Sequence, residues 1–96
     1  MPQISISVEA ADDIDEIAAY TMNTWGWRQA DHYLDKLEAG FNLLAQNPSI
    51  GRSSDSIQAG LRRFEIGKHV VFYLLEPDGI FVVRVLHQRM LPGNYV

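Results

Sequence analysis

LRRFEIGKHVVFYLLEPDGIFVVRVLH, residues 61–87, holds three β-type runs, LRRFEI, HVVFYLLE and GIFVVRVLH, separated by Gly67-Lys68 and by Pro77-Asp78-Gly79. Glycine supplies the backbone torsions a tight turn needs and proline fixes its first corner, so both interruptions read as turns and the runs as an antiparallel meander. The middle run is apolar at both alternating positions, the pattern of a central strand covered on both faces. With a two-residue turn at Gly67-Lys68, Ile66 lies opposite His69, Phe64 opposite Val71 and Arg62 opposite Tyr73. A second two-residue turn puts Arg84 on that same face. Arg62, Tyr73 and Arg84 then form a band across the sheet, while Arg63 and Glu65 share the other face with Val70, Phe72, Val83 and Val85.

Upstream of the meander the periodicity changes. QISIS at 3–7 alternates apolar and polar residues and predicts a first strand with Ile4 and Ile6 on one face. Ser7 is placed to accept from the free amides of a following helix, and Glu9, Asp12, Asp13, Asp15 and Glu16 put negative charge near its positive end. Ala10, Ile14, Ile17, Ala18 and Trp25 recur at helical spacing up to Gly26, which predicts a helix over 8–26 with Trp25 as a core anchor and Trp27 exposed. A second stripe, Ala30, Tyr33, Leu34, Leu37, Phe41, Leu44 and Ala45, runs to Asn47-Pro48, where proline ends the helix. Residues 46–60, QNPSIGRSSDSIQAG, read as a loop. The expected architecture is α+β, an antiparallel sheet packed on an N-terminal helical hairpin. Its opposite face is left partly open, where the arginine and tyrosine band is suited to receive a phosphate, an acidic side chain or a peptide. The plainer reading has those arginines lying flat over apolar neighbours with their tips in water.

Composition narrows the function. A chain of 96 residues has room for one core, hence a single domain over 1–96, and 47% hydrophobic against 21% charged residues places it among folding sequences. There is no cysteine, which excludes disulfides, thiolate metal sites and cysteine nucleophiles and fits a reducing cytoplasm. The N-terminal MPQISISVEAADD has no basic segment leading into a long apolar one, which predicts a cytoplasmic chain with no membrane association. A net charge of −4 excludes a broad electrostatic grip on nucleic acid. His32, His69 and His87 lie on three different elements without zinc-site spacing, so neither a metal nor another cofactor is expected. The acidic cluster at 12–16 reads as a solvated helix face.

In order and spacing, the first strand, the helical hairpin with WG and QADHY, then NPSIGR, LRRF, HVVFY and RVLHQRM resemble the ParE branch of the RelE/ParE toxins of type II toxin–antitoxin systems, from about Ile4 to Met90. The resemblance implies a βααβββ fold, a cytoplasmic toxin held inactive by a ParD-like antitoxin, and poisoning of DNA gyrase by stabilisation of its cleaved-DNA complex. It also implies that operator DNA is contacted only through the antitoxin. The RelE branch of the same fold cuts mRNA on the ribosome with a cluster of basic residues and a tail aromatic. Where that branch commonly begins its central strand with arginine, this chain has His69-Val70-Val71, and valine can neither donate a proton nor pair with phosphate. An RNase site, the alternative reading, would fall to His87, Arg84, Arg89 and Tyr95. A third reading is a detoxified chain that acts only within an autoregulatory antitoxin complex. For the antitoxin or target surface the candidates are Arg62, Arg63, Tyr73, Arg84, His87, Arg89, Met90 and Trp27. Phe72, Phe81, Val83, Val85, Met90, Leu91 and both tryptophans are more apolar surface than such a small fold easily buries, which points to the same surface.

Overall fold

In the computed structural model, which describes residues 2–96, Ser7 joins β1 (Gln3–Ile6) to α1 (Val8–Trp25). Its Oγ accepts the Ala10 N–H at 2.9 Å, capping the helix, and donates to the Val83 carbonyl at 2.7 Å, which fixes the helix start on the sheet. Gly26, at φ 93°, breaks the helix and turns the chain into α2 (Trp27–Gln46). Ala30, Leu37, Phe41, Leu44 and Ala45 of α2 fall on one face at helical spacing and are all buried. A 3₁₀ turn (Pro48–Ile50) and the two-residue β2 (Arg52–Ser53) give regular structure to part of the segment expected as loop. The meander follows as β3 (Arg62–Ile66), β4 (His69–Glu76) and β5 (Gly79–His87).

The five strands are ordered β1-β5-β4-β3-β2, with β4 central and β1 parallel to β5 while the other pairs are antiparallel. The first hairpin has the expected register, Ile66 opposite His69, Phe64 opposite Val71 and Arg62 opposite Tyr73. Gly67 takes φ 58°, and a Cβ there would collide with the Tyr33 ring, so both conformation and space require glycine. The second hairpin begins in the expected register too, Tyr73 opposite Val82, and then slips by one residue, so that Phe72 meets Arg84 and Val71 meets Val85. This β-bulge moves Val85 off the Phe72 face and into the main core, which corrects its expected side.

That main core lies between the helices and the Arg62–Tyr73 face of the sheet, and includes Ile17, Leu37, Phe41, Leu44, Val71, Tyr73, Ile80, Val82 and Val85. The expectation that this face would be the open one is overturned: Tyr73 is 0% exposed and contributes nothing to a surface. The reason is in the strands, since Ile66, Val71, Tyr73, Ile80 and Val82 make it the more uniformly apolar face. A second cluster, Leu61, Phe72 and Leu86, sits on the opposite face with Ile57, Val70, Leu74, Val83, Met90 and Val96 around it. The 54–60 segment and the chain end therefore absorb much of the apparent surplus, and Phe72 is buried. Trp25, expected as an anchor, is 70% exposed. At about 100° per residue it has rotated about 80° away from Ile17, off the buried stripe.

Candidate functional site

The helical hairpin and the sheet do not meet along their whole length. Between the second half of α1, the first half of α2, the β3–β4 turn and the end of β5 lies a groove of about 840 Å³. Its exposed lining residues include Tyr20 and Trp25 of α1, His32 and Lys36 of α2 and Lys68 of the β3–β4 turn, and Asp13, Glu16, Val85 and Met90 line it from α1, β5 and the chain beyond. Tyr33, His69 and His87 also line it.

Short hydrogen bonds fix the orientation of these lining rings. The Lys68 N–H donates to Tyr33 Oη at 3.1 Å, and Tyr33 Oη lies 2.6 Å from His69 Nδ1 and 3.3 Å from the Ile66 carbonyl. His69 packs edge-on against both Tyr33 and His87, at 5.4 Å between ring centroids in each case. Burial, reinforced by the neighbouring His87 and opposed by Asp13, pulls the His69 imidazole down to about 4 from its usual 6.5. The ring is therefore neutral near pH 7, with its Nδ1 in hydrogen-bond contact with the Tyr33 hydroxyl. Burial also pushes the Tyr33 phenol up, against the bond from Lys68 N–H.

The inner wall hangs on one ion pair. Asp13 Oδ2 accepts from Arg84 Nε at 2.8 Å and from the Val85 N–H at 2.9 Å, while Oδ1 accepts from Arg84 Nη2 at 2.8 Å. The bulge residue Arg84 also donates through Nη1 to the Tyr95 carbonyl at 3.0 Å, and its guanidinium lies 5.5 Å from the Tyr95 ring centre. The Asp13 bonds, ahead of the partial burial that opposes them, hold Arg84 still more firmly protonated. With side chains 10% and 18% exposed, Asp13 and Arg84 form a largely desolvated, two-pronged contact between α1, the bulge and the chain end. Asp13 is thus not on a solvated face, a correction to the reading of the 12–16 cluster.

The groove collects only some of the residues expected at a site. His87 and Met90 line it, with the His87 N–H 3.3 Å from Met90 Sδ and His87 Nδ1 accepting the Arg89 N–H at 3.2 Å. Arg62 instead donates to the carbonyls of Gly51 at 2.7 Å and Ser49 at 3.2 Å, tying down the segment before β2. Arg63 lies on the second-cluster side of β3 beside a shallow depression with Ile50, Arg52, Phe64 and Glu65. Trp27 is 63% exposed with Arg28 stacked 5.4 Å over it, away from the groove lining. Arg89 is exposed and Tyr95 is 43% exposed. Sequence reasoning missed Asp13, Tyr33 and His69. Asp13 carried a signal, because it occupies the buried stripe between Ala10 and Ile17. Among the described residues, no group of three or more His, Cys, Asp or Glu is arranged to hold a metal ion, and no helix is long and apolar enough to cross a membrane.

Against known proteins, the sequence profile of the "ParE toxin of type II toxin-antitoxin system, parDE" matches residues 4–92. The chain belongs to this toxin family. Family membership agrees with the relatives: Toxin ParE1 of Mycobacterium tuberculosis is 43% identical over 86 residues, covering 88% of each chain. Toxin ParE1 of Caulobacter vibrioides is 37% identical over 90 residues, covering 94% of this chain and 93% of that one. Toxin ParE of Escherichia coli is 33% identical over 86 residues, covering 88% and 84%. The fold is shared with a chain of the chromosomal ParDE system from P. aeruginosa, at a TM-score of 0.77 and 20% identity, covering 91% of this chain and 96% of that one.

Proposed function

We infer that this ParE-family toxin acts on DNA gyrase by stabilising its cleaved-DNA complex, and that a ParD-like antitoxin neutralises it by laying an amphipathic segment into the groove. The observation that carries the antitoxin half is the groove itself, about 840 Å³ walled by Tyr20 and Trp25, which are 68% and 70% exposed. Large aromatic side chains left in water beside a concave, oriented lining are the usual anchor sites of a helical partner. The lining charges give that partner a polarity: an acidic group toward Lys36 and Lys68, a basic one toward Glu16, and apolar side chains between them. Because such a partner binds only the folded chain, co-expression raises the toxin's stability and recovery.

The gyrase half rests on family membership and on the chemistry that Arg84 is not free to do. A ribonuclease must present cations to developing phosphate charge, and Arg84 is already committed to Asp13 and to the Tyr95 carbonyl. We therefore read the toxin as non-enzymatic, acting in the cytoplasm where gyrase works. With a net charge of −4 it contacts operator DNA only through its antitoxin. The experiment is the purified chain with gyrase, ATP and relaxed plasmid, scored for supercoiling and for protein-linked breaks, with ribosome-bound mRNA in parallel. Gyrase-dependent breaks are expected. mRNA cleavage without breaks would overturn the reading in favour of a ribonuclease, and inactivity in both in favour of a detoxified antitoxin partner.

A further inference from the structure

The two edges of the sheet are finished differently. At one edge β2 is two residues long, and Arg52 pairs with Glu65 at 2.7 Å, so charge stands over the outer side of β3. Brevity and charge are common ways of blunting an edge against unwanted pairing. At the other edge β1 has neither defence to the same degree. Residues 2–8, PQISISV, contain no charge at all, and the first charged residue is Glu9.

The backbone of β1 is half used. The Gln3 N–H donates to the Asp78 carbonyl at 2.7 Å and the Ser7 N–H to the Val82 carbonyl at 3.0 Å. Alternation along a strand therefore turns the N–H and C=O of Ile4 and Ile6 to the outer side. Apolar surface flanks these open groups, with Ile6 42% and Val8 76% exposed.

We propose that the β1 edge pairs with β1 of a second copy of this chain, antiparallel about a two-fold axis through Ser5, so that the two sheets become one. In this register Ile4 stands opposite Ile6 of the second copy at a hydrogen-bonded position, and the outward groups of both isoleucines are satisfied at once. Ser5 meets its own counterpart at the intervening non-hydrogen-bonded position, and no charge faces a like charge. This self-complementarity favours a second copy over a foreign strand, since a two-fold contact must present the same patch from both sides. The dimer leaves the groove free: β1 pairs with β5 along Gly79–Val82, whereas the groove takes β5 at Val85 and His87. It therefore goes beyond the antitoxin reading and stands or falls separately from it. A contact between two four-residue strands is small, so the dimer forms reversibly with concentration.

The chain contains no cysteine, which makes a single introduced thiol a clean reporter. In the proposed register the two Ser5 Cα atoms approach to about 4.5 Å, within disulfide range, while the two Gln3 residues lie far apart. Mild oxidation of the purified full chain is expected to cross-link Ser5→Cys efficiently and Gln3→Cys hardly at all. Sedimentation equilibrium of the unmodified chain should give a concentration-dependent dimer that Ile6→Lys weakens roughly tenfold or more. Ile6→Pro serves as a second variant, because its lost N–H points outward and takes no bond from β5. Circular dichroism checks that both variants stay folded. A unmodified chain that stays monomeric at its highest soluble concentration overturns the proposal. So do equal cross-linking of the two cysteine variants and an Ile6→Lys dimer as tight as the parent. None of these readouts involves gyrase, so their failure is distinct from failure of the functional reading.

Discussion

Replacing Asp13 by alanine removes one acceptor group from three hydrogen bonds, two from Arg84 and one from the Val85 N–H. Removing one partner of a fully buried pair costs about 3–5 kcal/mol, because the other charge is left without compensation. Arg84 is 18% exposed and keeps its bond to the Tyr95 carbonyl, so here that share falls to about 2 kcal/mol. The orphaned Val85 N–H, at a buried position, adds about 1–2 kcal/mol. The expected loss is therefore about 3–4 kcal/mol, which for a domain of this size lowers Tm by about 15 °C or more. Urea unfolding followed by far-UV circular dichroism measures it as a lower midpoint with an unchanged slope. Asp13→Asn, which keeps an oxygen for Val85 but no charge for Arg84, should lose about 2 kcal/mol. The double variant Asp13→Leu with Arg84→Met should recover to within about 1–2 kcal/mol of the parent, since no unpaired charge remains and only the Val85 N–H is left over. A loss under about 1 kcal/mol for Asp13→Ala, or a double variant as unstable as the sum of its single changes, would refute the view that desolvated charge pairing anchors α1 to the bulge.

Tyr73→Phe should cost about 2–3 kcal/mol, because the hydroxyl donates to the Pro48 carbonyl at 2.7 Å and accepts the Gly51 N–H at 3.0 Å from a fully buried position; the urea midpoint reports it. Since His69 titrates at about 4 when folded and near 6.5 when unfolded, its neutral form stabilises the fold fully above pH 6.5, and that contribution is lost as pH falls from 6.5 toward 4. Discounted for partial solvent screening, it amounts to about 1–2 kcal/mol, and comparing the urea midpoints of the parent and His69→Gln at pH 7.5 and 5 should give a steeper fall for the parent. Trp25→Ala should weaken binding of a ParD-like antitoxin by about 2 kcal/mol, roughly thirtyfold by calorimetry, while leaving Tm nearly unchanged because the side chain is 70% exposed.

Much of the fold was legible because its signals are local. Turn residues at Gly67 and Pro77, the Ser7 cap and the stripe through Leu37 and Phe41 each fix an element without reference to the rest of the chain. The first hairpin register followed from turn length alone. What the sequence could not deliver depends on contacts between elements. The bulge opposite Phe72 leaves no mark in the strand pattern, since Val82, Val83, Val85 and Leu86 are acceptable on either face. Which face the helices would choose was likewise hidden, so the arginine and tyrosine band was placed in the open when Tyr73 is in the core. The site was less legible than the fold. Tyr33 and His69 come together only because the hairpin turn brings His69 under α2, and His87 joins them from the far end of β5. Asp13 alone was visible in principle, as a carboxylate in line with buried Ala10 and Ile17.

The groove differs from an incidental gap because its lining is held before anything occupies it. The Lys68 amide and His69 Nδ1 fix the Tyr33 hydroxyl, and the edge contacts of His69 with Tyr33 and His87 hold its ring. The Asp13–Arg84 pair prevents α1 from sliding along β5, so the walls carried by Tyr20 and Trp25 keep their distance from His87. A partner entering such a site orders few side chains of the toxin, and more of its contact energy survives as affinity. Arg84 does not line the groove, whereas Asp13 does, so Arg84 acts on binding through the elements it anchors and Asp13 acts through the lining as well. Stability and affinity should then separate by residue: Trp25→Ala lowers affinity at constant Tm, whereas Asp13→Ala lowers both, even at temperatures where the variant remains folded. Equal losses of Tm in the two variants would mean that the tryptophan belongs to the packing of the hairpin, and the groove would lose its standing as a preformed docking site.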